Sequence, residues 1–393
     1  MPDVLLLTLL LAAVAIGWWL GRRERSKPSD PAPSSGLPRD YFVGLDYLLN
    51  DQQDRAIETF VAALEVNSDT IDTHITLGNL FRGRGEADRA VKIHQNLLAR
   101  PTLSAAQGER VQLELARDFL ALGLLDRAER LLQAVVRDSQ DDGRRLAAKR
   151  LLVDLLEREG EWKAALEVAE PQLIRQNDEV RRAAAHWLCQ LAEQERFEAS
   201  PGLARKHLRR ALSIDSHCVR ANLLLATLEH DTGHYRQEIR LLDRLPEQDA
   251  AFTPTLLPPL ATAYRLLDDE DGLIRHLQQL VERTPYTSVI ILLAETVLHR
   301  DGLQAAIDLI REQLARESSL GALDYLMDLY RQDDRGESLE RLELLQQHTR
   351  TLLKALPRHR CRRCGFAGEQ LHWQCPRCRS WGTTKPITGI EGE

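Results

Sequence analysis

Two stretches of the chain, residues 44–63 (GLDYLLNDQQDRAIETFVAA) and residues 78–97 (GNLFRGRGEADRAVKIHQNL), align position by position at an offset of 34 residues. Each begins with a glycine, has an aromatic residue three positions later and has an alanine twelve positions after the glycine. Small residues let two helices cross closely, and large residues fill the gaps between them. The pattern therefore predicts a repeated pair of helices.

Degenerate copies of this pattern continue to residue 356, with alanine or another apolar residue at the matching positions. A period of 34 residues with this skeleton is typical of the tetratricopeptide repeat. We predict an all-α tetratricopeptide-repeat superhelix of about nine helix pairs over residues 39–356. Glycines are expected to form the turn before the second helix of a pair at five places: Gly85, Gly123, Gly160, Gly233 and Gly302. The alternative is a generic helical bundle, which two copies in phase disfavour.

The composition of the 393-residue chain fits a large helical core. Hydrophobic residues make up 43% of the chain, which excludes wholesale disorder, and aromatic residues only 5%, which favours helix. The net charge of −7 hides an uneven distribution, with −12 over residues 39–356, +1 before them and +4 after them. So acidic a body argues against a protein that binds nucleic acid along its whole length.

The amino terminus carries an uncharged apolar segment, residues 4–20 (VLLLTLLLAAVAIGWWL), which as a helix of about 25 Å is just long enough to span a bilayer. Basic residues follow it directly: Arg22, Arg23, Arg25 and Lys27. We predict a transmembrane anchor over residues 1–21 with its carboxyl side in the cytoplasm, where positive charge accumulates. A cleaved signal peptide, the alternative, would carry basic residues before the apolar segment. Residues 22–38, basic and then rich in proline, are predicted to be a linker.

The carboxyl terminus contains two Cys-x-x-Cys motifs, Cys361-Arg-Arg-Cys364 and Cys375-Pro-Arg-Cys378. Two such turns present four thiolates to one ion, so residues 357–393 are predicted to bind one tetrahedral zinc or iron ion. A disulfide framework is the alternative, and the predicted cytoplasmic location disfavours it. Five arginines lie beside the motifs and either offset the negative charge of the thiolates or contact phosphate or an acidic partner: Arg360, Arg362, Arg363, Arg377 and Arg379.

The sequence also predicts the surroundings of five residues outside the paired cysteine motifs. A 37-residue segment has little core of its own, so Phe366, Trp373 and Trp381 are expected to be available for docking against the repeats. Cys189 and Cys218 are isolated in helical stretches, where we expect them to be buried as small apolar residues rather than to act as ligands.

The sequence shows no pattern typical of an active site. It contains no phosphate-binding Gly-x-x-x-x-Gly-Lys, no Gly-x-Ser-x-Gly and no His-Glu-x-x-His motif, so we predict that the protein is not an enzyme. Asn79 and Arg82 lie on the first helix of the second repeat, on the side that usually lines the groove. We predict that they contact a partner, with solvated surface as the alternative.

The order of anchor, linker, repeats and paired cysteine motifs resembles the lipopolysaccharide assembly protein B family over the whole chain. Residues 39–56 (RDYFVGLDYLLNDQQDRA) resemble that family closely. The cysteine motifs look like those of rubredoxin, and by this resemblance the metal ligands carry over to Cys361, Cys364, Cys375 and Cys378. The gap of ten residues between the motifs is shorter than in rubredoxin, which argues against a shielded electron-transfer centre.

The resemblance implies a single-pass protein of the bacterial inner membrane, with a periplasmic amino terminus and a cytoplasmic body. Its expected partners are a membrane-anchored AAA+ protease, the lipid A deacetylase that the protease degrades, and other lipopolysaccharide assembly or transport proteins. It would thus regulate lipopolysaccharide biosynthesis as an adaptor, and it could form oligomers. No nucleic acid partner is expected. Two alternatives stay open, a membrane-tethered rubredoxin-like redox carrier and a nucleic-acid-binding ribbon protein.

Overall fold

The computed structural model describes residues 71–388 except 102, 198–199, 317 and 334–337, together with the isolated positions 18–19, 43–44, 46–47, 55 and 59. Most of the first repeat and nearly all of the predicted anchor therefore lie outside the described residues. Trp18 and Trp19 are helical and exposed by 65% and 57%. Within the part of the chain that the structure describes, no helix has the length and apolar character needed to cross a membrane.

The chain divides into two compact units, residues 1–124 and residues 125–393. The first unit contains three described helices: α1 (Ile71–Gly83), α2 (Ala87–Leu98) and α3 (Ala105–Ala121). Helix α1 packs against α2, and α2 packs against α3. A capping box begins α3, because the side chain of Ser104 accepts from the backbone N–H of Gln107 and the side chain of Gln107 accepts in return.

The aromatic and alanine positions of the repeat form part of the core of the first unit. Leu77, Phe81 and Ala90 make one buried cluster, and Tyr47 and Ile93 pack against it. Tyr47 occupies in the first repeat the position that Phe81 occupies in the second. The 34-residue spacing therefore places equivalent residues of successive repeats in or against the same buried cluster, as expected for stacked helix pairs.

Gly78, the small residue of the second repeat, lies directly under a side chain of the next helix. A Cβ atom added there would be 2.5 Å from both Cε1 and Nε2 of His94. The His94 ring is completely buried. Only glycine leaves room for it, which explains why the pattern begins with a small residue.

The second unit contains fifteen described α-helices. Their bounds are α4 Leu125–Asp138, α5 Asp142–Glu159, α6 Trp162–Ala169, α7 Gln172–Gln176, α8 Asp178–Phe197, α9 Pro201–Ile214, α10 Val219–Asp231, α11 Tyr235–Leu242, α12 Leu245–Gln248, α13 Thr253–Leu266, α14 Glu270–Arg283, α15 Thr287–Asp301, α16 Leu303–Arg316, α17 Leu320–Asp333 and α18 Ser338–Ala355. A 3₁₀ turn, Ala250–Phe252, precedes α13. Helix α13 contacts α15, and α15 contacts α17, so the first helices of successive pairs stack as well.

The five predicted glycine turns are confirmed, since every one of these glycines has a positive φ and precedes a helix. At Gly160, with a φ of 77°, the left-handed conformation ends α5 and lets α6 begin two residues later. The short helices α7 and α12 and the 3₁₀ turn were not predicted. These elements are absent from the regular repeat. The 3₁₀ turn contacts the carboxyl-terminal ribbon through Phe252.

The carboxyl-terminal ribbon is a small antiparallel sheet of strands β1 (His359–Cys361), β2 (Ala367–Gly368) and β3 (Thr384–Pro386). Strand β1 is central, and the order is β2-β1-β3. Arg360 pairs with Ala367 on one side and with Lys385 on the other. The sheet is too small to form a core, so its stability depends on what the cysteines hold and on what it packs against.

Candidate metal centre

The two cysteine turns of the ribbon have the same backbone geometry. In each turn the N–H of the fifth residue donates to the carbonyl of the first cysteine, at 3.0 Å from Gly365 to Cys361 and 2.8 Å from Arg379 to Cys375. The fifth residue has a positive φ in both, 74° at Gly365 and 58° at Arg379. Each turn thus folds back on itself, and both of its sulfurs face the same side.

The structure brings the four predicted ligands together. All four Sγ atoms lie within 4.8 Å of one another. The separations are 3.8 Å between Cys361 and Cys378 and 3.6 Å between Cys364 and Cys375. Four sulfurs at about 2.3 Å from a tetrahedral ion would be about 3.8 Å apart. The spacing of the donors therefore fits one zinc or iron ion.

The surroundings favour the thiolate, the form that binds a metal, at Cys361 but not at Cys375. Burial raises the pKa of the Cys361 thiol, but the Thr383 hydroxyl at 3.3 Å and nearby backbone N–H groups outweigh burial and lower that pKa to about 6. Burial dominates at Cys375 and raises its pKa to about 11. Cys361 and Cys375 are buried, whereas Cys364 and Cys378 are partly exposed. One side of the site is therefore open to water.

The ribbon is fixed to the array through one carboxylate on α5. Oε2 of Glu157 accepts from the indole N–H of Trp381 at 3.0 Å, and Oε1 accepts from the side-chain amide of Gln374 at 2.7 Å. The Trp187 indole N–H of α8 donates to Oε2 at 2.9 Å, and Arg379 lies 3.8 Å from Oε1. The Glu157 side chain is only 11% exposed. This carboxylate is thus well hydrogen-bonded where the ribbon meets the helices.

Aromatic rings cover the rest of this contact. His186 of α8 stacks on Trp381 with centroids 5.1 Å apart and lies 6.0 Å from Trp373. Trp373 stacks on Phe252 of the 3₁₀ turn at 5.5 Å, and Trp162 meets Trp381 edge-on at 6.1 Å. The expectation that Trp373 and Trp381 dock against the helices is confirmed. Phe366 instead lies beside His372 within the ribbon, at 6.1 Å.

The docked surface requires His186 to be neutral. Burial lowers its pKa to about 3, and the positive charges of Arg220 and Arg182 act in the same direction. The uncharged ring can therefore stack on Trp381 and lie beside Trp373 without the cost of burying a charge. Gly382 crosses it so closely that an added Cβ would be 3.2 Å from Nε2 of His186. Gly382 also has a φ of 63°, which other residues rarely adopt. Both the close contact and the backbone conformation therefore favour glycine at this position.

Two ion pairs lie at the edge of the docked surface. Lys385 of β3 pairs with Asp249, and Arg363 pairs with Glu179 at 3.0 Å. The second of these pairs is largely exposed and so contributes little to stability. Two of the five ribbon arginines, Arg363 and Arg379, therefore lie near carboxylates of the helices.

Sequence reasoning missed the array side of this contact: Glu157, Trp162, His186, Trp187 and Phe252. Glu157 is one of 59 acidic residues, and nothing in its neighbourhood marks it. Phe252 offered a weak signal, because aromatic residues are rare in this chain. The ribbon side was readable because tryptophan is uncommon and the segment lacked a core.

Asn79 and Arg82, predicted to contact a partner, belong to a polar network inside the first unit. Arg82 donates to Oδ1 of Asn79 at 2.6 Å, pairs with Glu114 at 2.8 Å and pairs with Asp118 at 2.6 Å. Asp118 is completely buried and lies 2.5 Å from Nδ1 of His94. The Arg82 side chain is 19% exposed, so a partner could reach only part of it.

The two isolated cysteines are buried, as predicted. Cys189 is 0% and Cys218 is 3% exposed. Their sulfurs lie 4.0 Å apart, which the sequence did not indicate because the residues are 29 positions apart. Burial raises the pKa of the Cys189 thiol, which keeps that thiol protonated and unreactive.

Comparison with known proteins finds a family that matches the ribbon and relatives that match the whole chain. The rubredoxin metal binding domain family matches residues 359–386, which contain all four cysteines. Lipopolysaccharide assembly protein B of Escherichia coli (strain K12) is 34% identical over 389 residues, covering 99% of this chain and 99% of that protein. The chain belongs to the lipopolysaccharide assembly protein B family. The family member from Haemophilus influenzae is 34% identical over 397 residues, covering 98% of this chain and 99% of its own length.

One solved structure shows how far the helical part resembles other repeat proteins. A tetratricopeptide repeat protein from Parabacteroides merdae aligns with a TM-score of 0.35 and 15% identity, covering 67% of this chain and 99% of that one. So weak a likeness supports no functional argument. The membership of the lipopolysaccharide assembly protein B family rests on the full-length relatives.

Proposed function

We propose that the protein is a non-enzymatic scaffold that regulates lipopolysaccharide biosynthesis at the bacterial inner membrane. The observation that carries this proposal is the full-length match to the family, with the four-cysteine ribbon and the helical array both present. The array offers contact surface to proteins, and the ribbon is fixed to it by Glu157 and the stacked rings. Within the described residues, only the four cysteines form a cluster that could hold a metal ion.

The ribbon would hold one zinc or iron ion through Cys361, Cys364, Cys375 and Cys378. The sulfur spacing described above supports this assignment, and bound metal would supply the folding energy that so small a sheet lacks. The residues around the site orient the two turns, and the Thr383 hydroxyl stabilises the thiolate of Cys361. In this proposal the site is structural, so the protein itself catalyses no reaction.

Residues 1–21 would anchor the chain as a single span, with a periplasmic amino terminus and a cytoplasmic body. There the protein would act as an adaptor. It would promote degradation of the deacetylase that commits precursors to lipid A, by presenting this enzyme to a membrane-anchored AAA+ protease. Recruitment of other assembly proteins would use the same array. Asn79 and Arg82 are candidate partner contacts on it, although Arg82 is already engaged by two carboxylates.

Depletion of the protein in its own cells tests the adaptor role. We expect the half-life of the deacetylase and the amount of lipopolysaccharide to rise, because the protease would lose its supply of substrate. A plasmid copy of the full chain should restore both, and pulse-chase immunoblotting measures the half-life. An unchanged half-life after depletion would refute the adaptor role.

A further inference from the structure

The groups that contact Glu157 come from one short stretch of the ribbon. Gln374 directly precedes Cys375, Arg379 directly follows Cys378, and Trp381 lies two residues further on. All three reach the same carboxylate, at 2.7 Å, 3.8 Å and 3.0 Å respectively. The contact therefore depends on the shape of the second cysteine turn and not merely on the position of the ribbon.

Among the described residues, the array supplies one donor of its own to this carboxylate. Trp187 donates to Oε2 of Glu157 at 2.9 Å, and the other described partners belong to the ribbon. The side chain is 11% exposed with the ribbon in place, so the docked ribbon excludes most water from it. A carboxylate kept from water is stable only while its hydrogen-bond donors stay in place. Glu157 therefore stabilises the docked ribbon only when the second cysteine turn holds its donors in the positions that reach the carboxylate.

We propose that Glu157 is the positioning residue that couples metal binding in the second cysteine turn to docking of the ribbon on the array. A closed turn holds Arg379 at its positive φ of 58° and directs Gln374 and Trp381 to the carboxylate. For a residue other than glycine this conformation persists only where the surroundings impose it. An ion bound by Cys375 and Cys378 imposes it from one side, and Glu157 imposes it from the other.

Metal binding and docking of the ribbon affect each other equally, because the two equilibria are thermodynamically linked. If metal binding favours docking, docking must favour metal binding by the same factor. Loss of the ion would release Trp381 from His186 and Trp162 and would uncover that aromatic surface. Loss of the Glu157 carboxylate would weaken metal binding from a distance, although Glu157 is not a ligand. The inference goes beyond the proposed function and rests on its metal site.

The test measures the zinc affinity of the full purified chain by competition with a chromophoric chelator. Glu157→Ala should weaken zinc binding by about tenfold, a typical coupling between two sites. Glu179→Ala is the matched control, because it removes a carboxylate that pairs with Arg363 of the first turn but is 68% exposed. The control should stay within about twofold of the wild type, since exposed ion pairs contribute little.

A charge swap across the contact separates a direct effect from general damage. Glu157→Gln and Gln374→Glu should each weaken zinc binding. The double variant should recover most of the affinity, because the amide oxygen of residue 157 can accept from both indoles while its N–H₂ donates to the carboxylate at residue 374. A merely structural role for Glu157 would not predict this recovery.

Three outcomes would overturn parts of this inference, and they are distinguishable. A folded Glu157→Ala variant with wild-type zinc affinity refutes the coupling, with helical circular dichroism as the check on folding. If Glu157→Ala does not fold, failure of the double swap to recover affinity refutes it instead. A wild-type chain that binds no zinc or iron refutes the metal site itself.

Discussion

At the residue scale, one neighbouring side chain explains why residue 78 of the second repeat is glycine. His94 occupies the place that Phe60 has in the first repeat, and its ring lies against Gly78. The ring cannot move aside easily, because Nδ1 lies 2.5 Å from the buried carboxylate of Asp118. Asp118 is held in turn by Arg82. A single glycine therefore allows a polar network to sit in the core of the first unit.

Gly78→Ala should lower the stability of the first unit by about 1–3 kcal/mol, the usual range for overpacking a core. Alanine favours a helix over glycine by about 0.5–1 kcal/mol, which is too little to offset a contact at 2.5 Å. Thermal or urea unfolding of the full chain measures the difference.

Gly108→Ala in α3 is the matched control for this prediction. An added Cβ there meets nothing within 4 Å, so helix propensity acts alone and the variant should be slightly more stable. Equal stability changes in the two variants would mean that the His94 contact does not limit residue 78.

At the element scale, the helices and the cysteine turns could be predicted because their signals are local. The turn glycines and the alanine positions follow from spacing along the chain, and the four cysteines follow from two short motifs. The residues of the array that receive the ribbon could not be predicted in this way. Glu157 lies 217 residues from Gln374 and 224 from Trp381, and no periodic pattern connects positions so far apart.

Cys361→Ser should abolish metal binding and unfold the ribbon, because a hydroxyl is a poor replacement for a thiolate and the sheet has no other core. Elemental analysis of the purified chain should fall from one metal ion to nearly none, and a visible charge-transfer band in the wild type would identify iron.

Cys189→Ser provides the control, since it makes the same chemical change at a buried cysteine in α8, outside the four-sulfur cluster. It should keep the metal. Full metal content in Cys361→Ser would show that the ligand assignment is wrong.

At the scale of the whole molecule, the uneven charge helps to choose between two ways of holding the protein at a membrane: adsorption by charge and a hydrophobic span. Residues 39–356 carry −12, and anionic lipids repel a surface of that sign. The charge of residues 39–356 therefore disfavours their adsorption to a membrane, and the apolar segment at residues 4–20 is the better candidate for holding the protein there.

The full chain should stay in the membrane pellet after a wash with concentrated salt, because salt screens charges but does not extract a hydrophobic span. Immunoblots of pellet and supernatant give the result. A variant that lacks residues 1–21 should appear in the supernatant, and release of the full chain by salt alone would rule out the anchor.

The distance in sequence between Glu157 and its ribbon partners has a consequence for biosynthesis. The array leaves the ribosome first, at roughly 5–20 residues per second, and the ribbon leaves last. At this rate the Glu157 carboxylate and His186 remain without their ribbon partners for about 10–40 seconds of translation, and Phe252 for about 6–24 seconds. A premature stop codon before the ribbon would leave them uncovered permanently, so truncated chains should be the ones that chaperones and proteases remove.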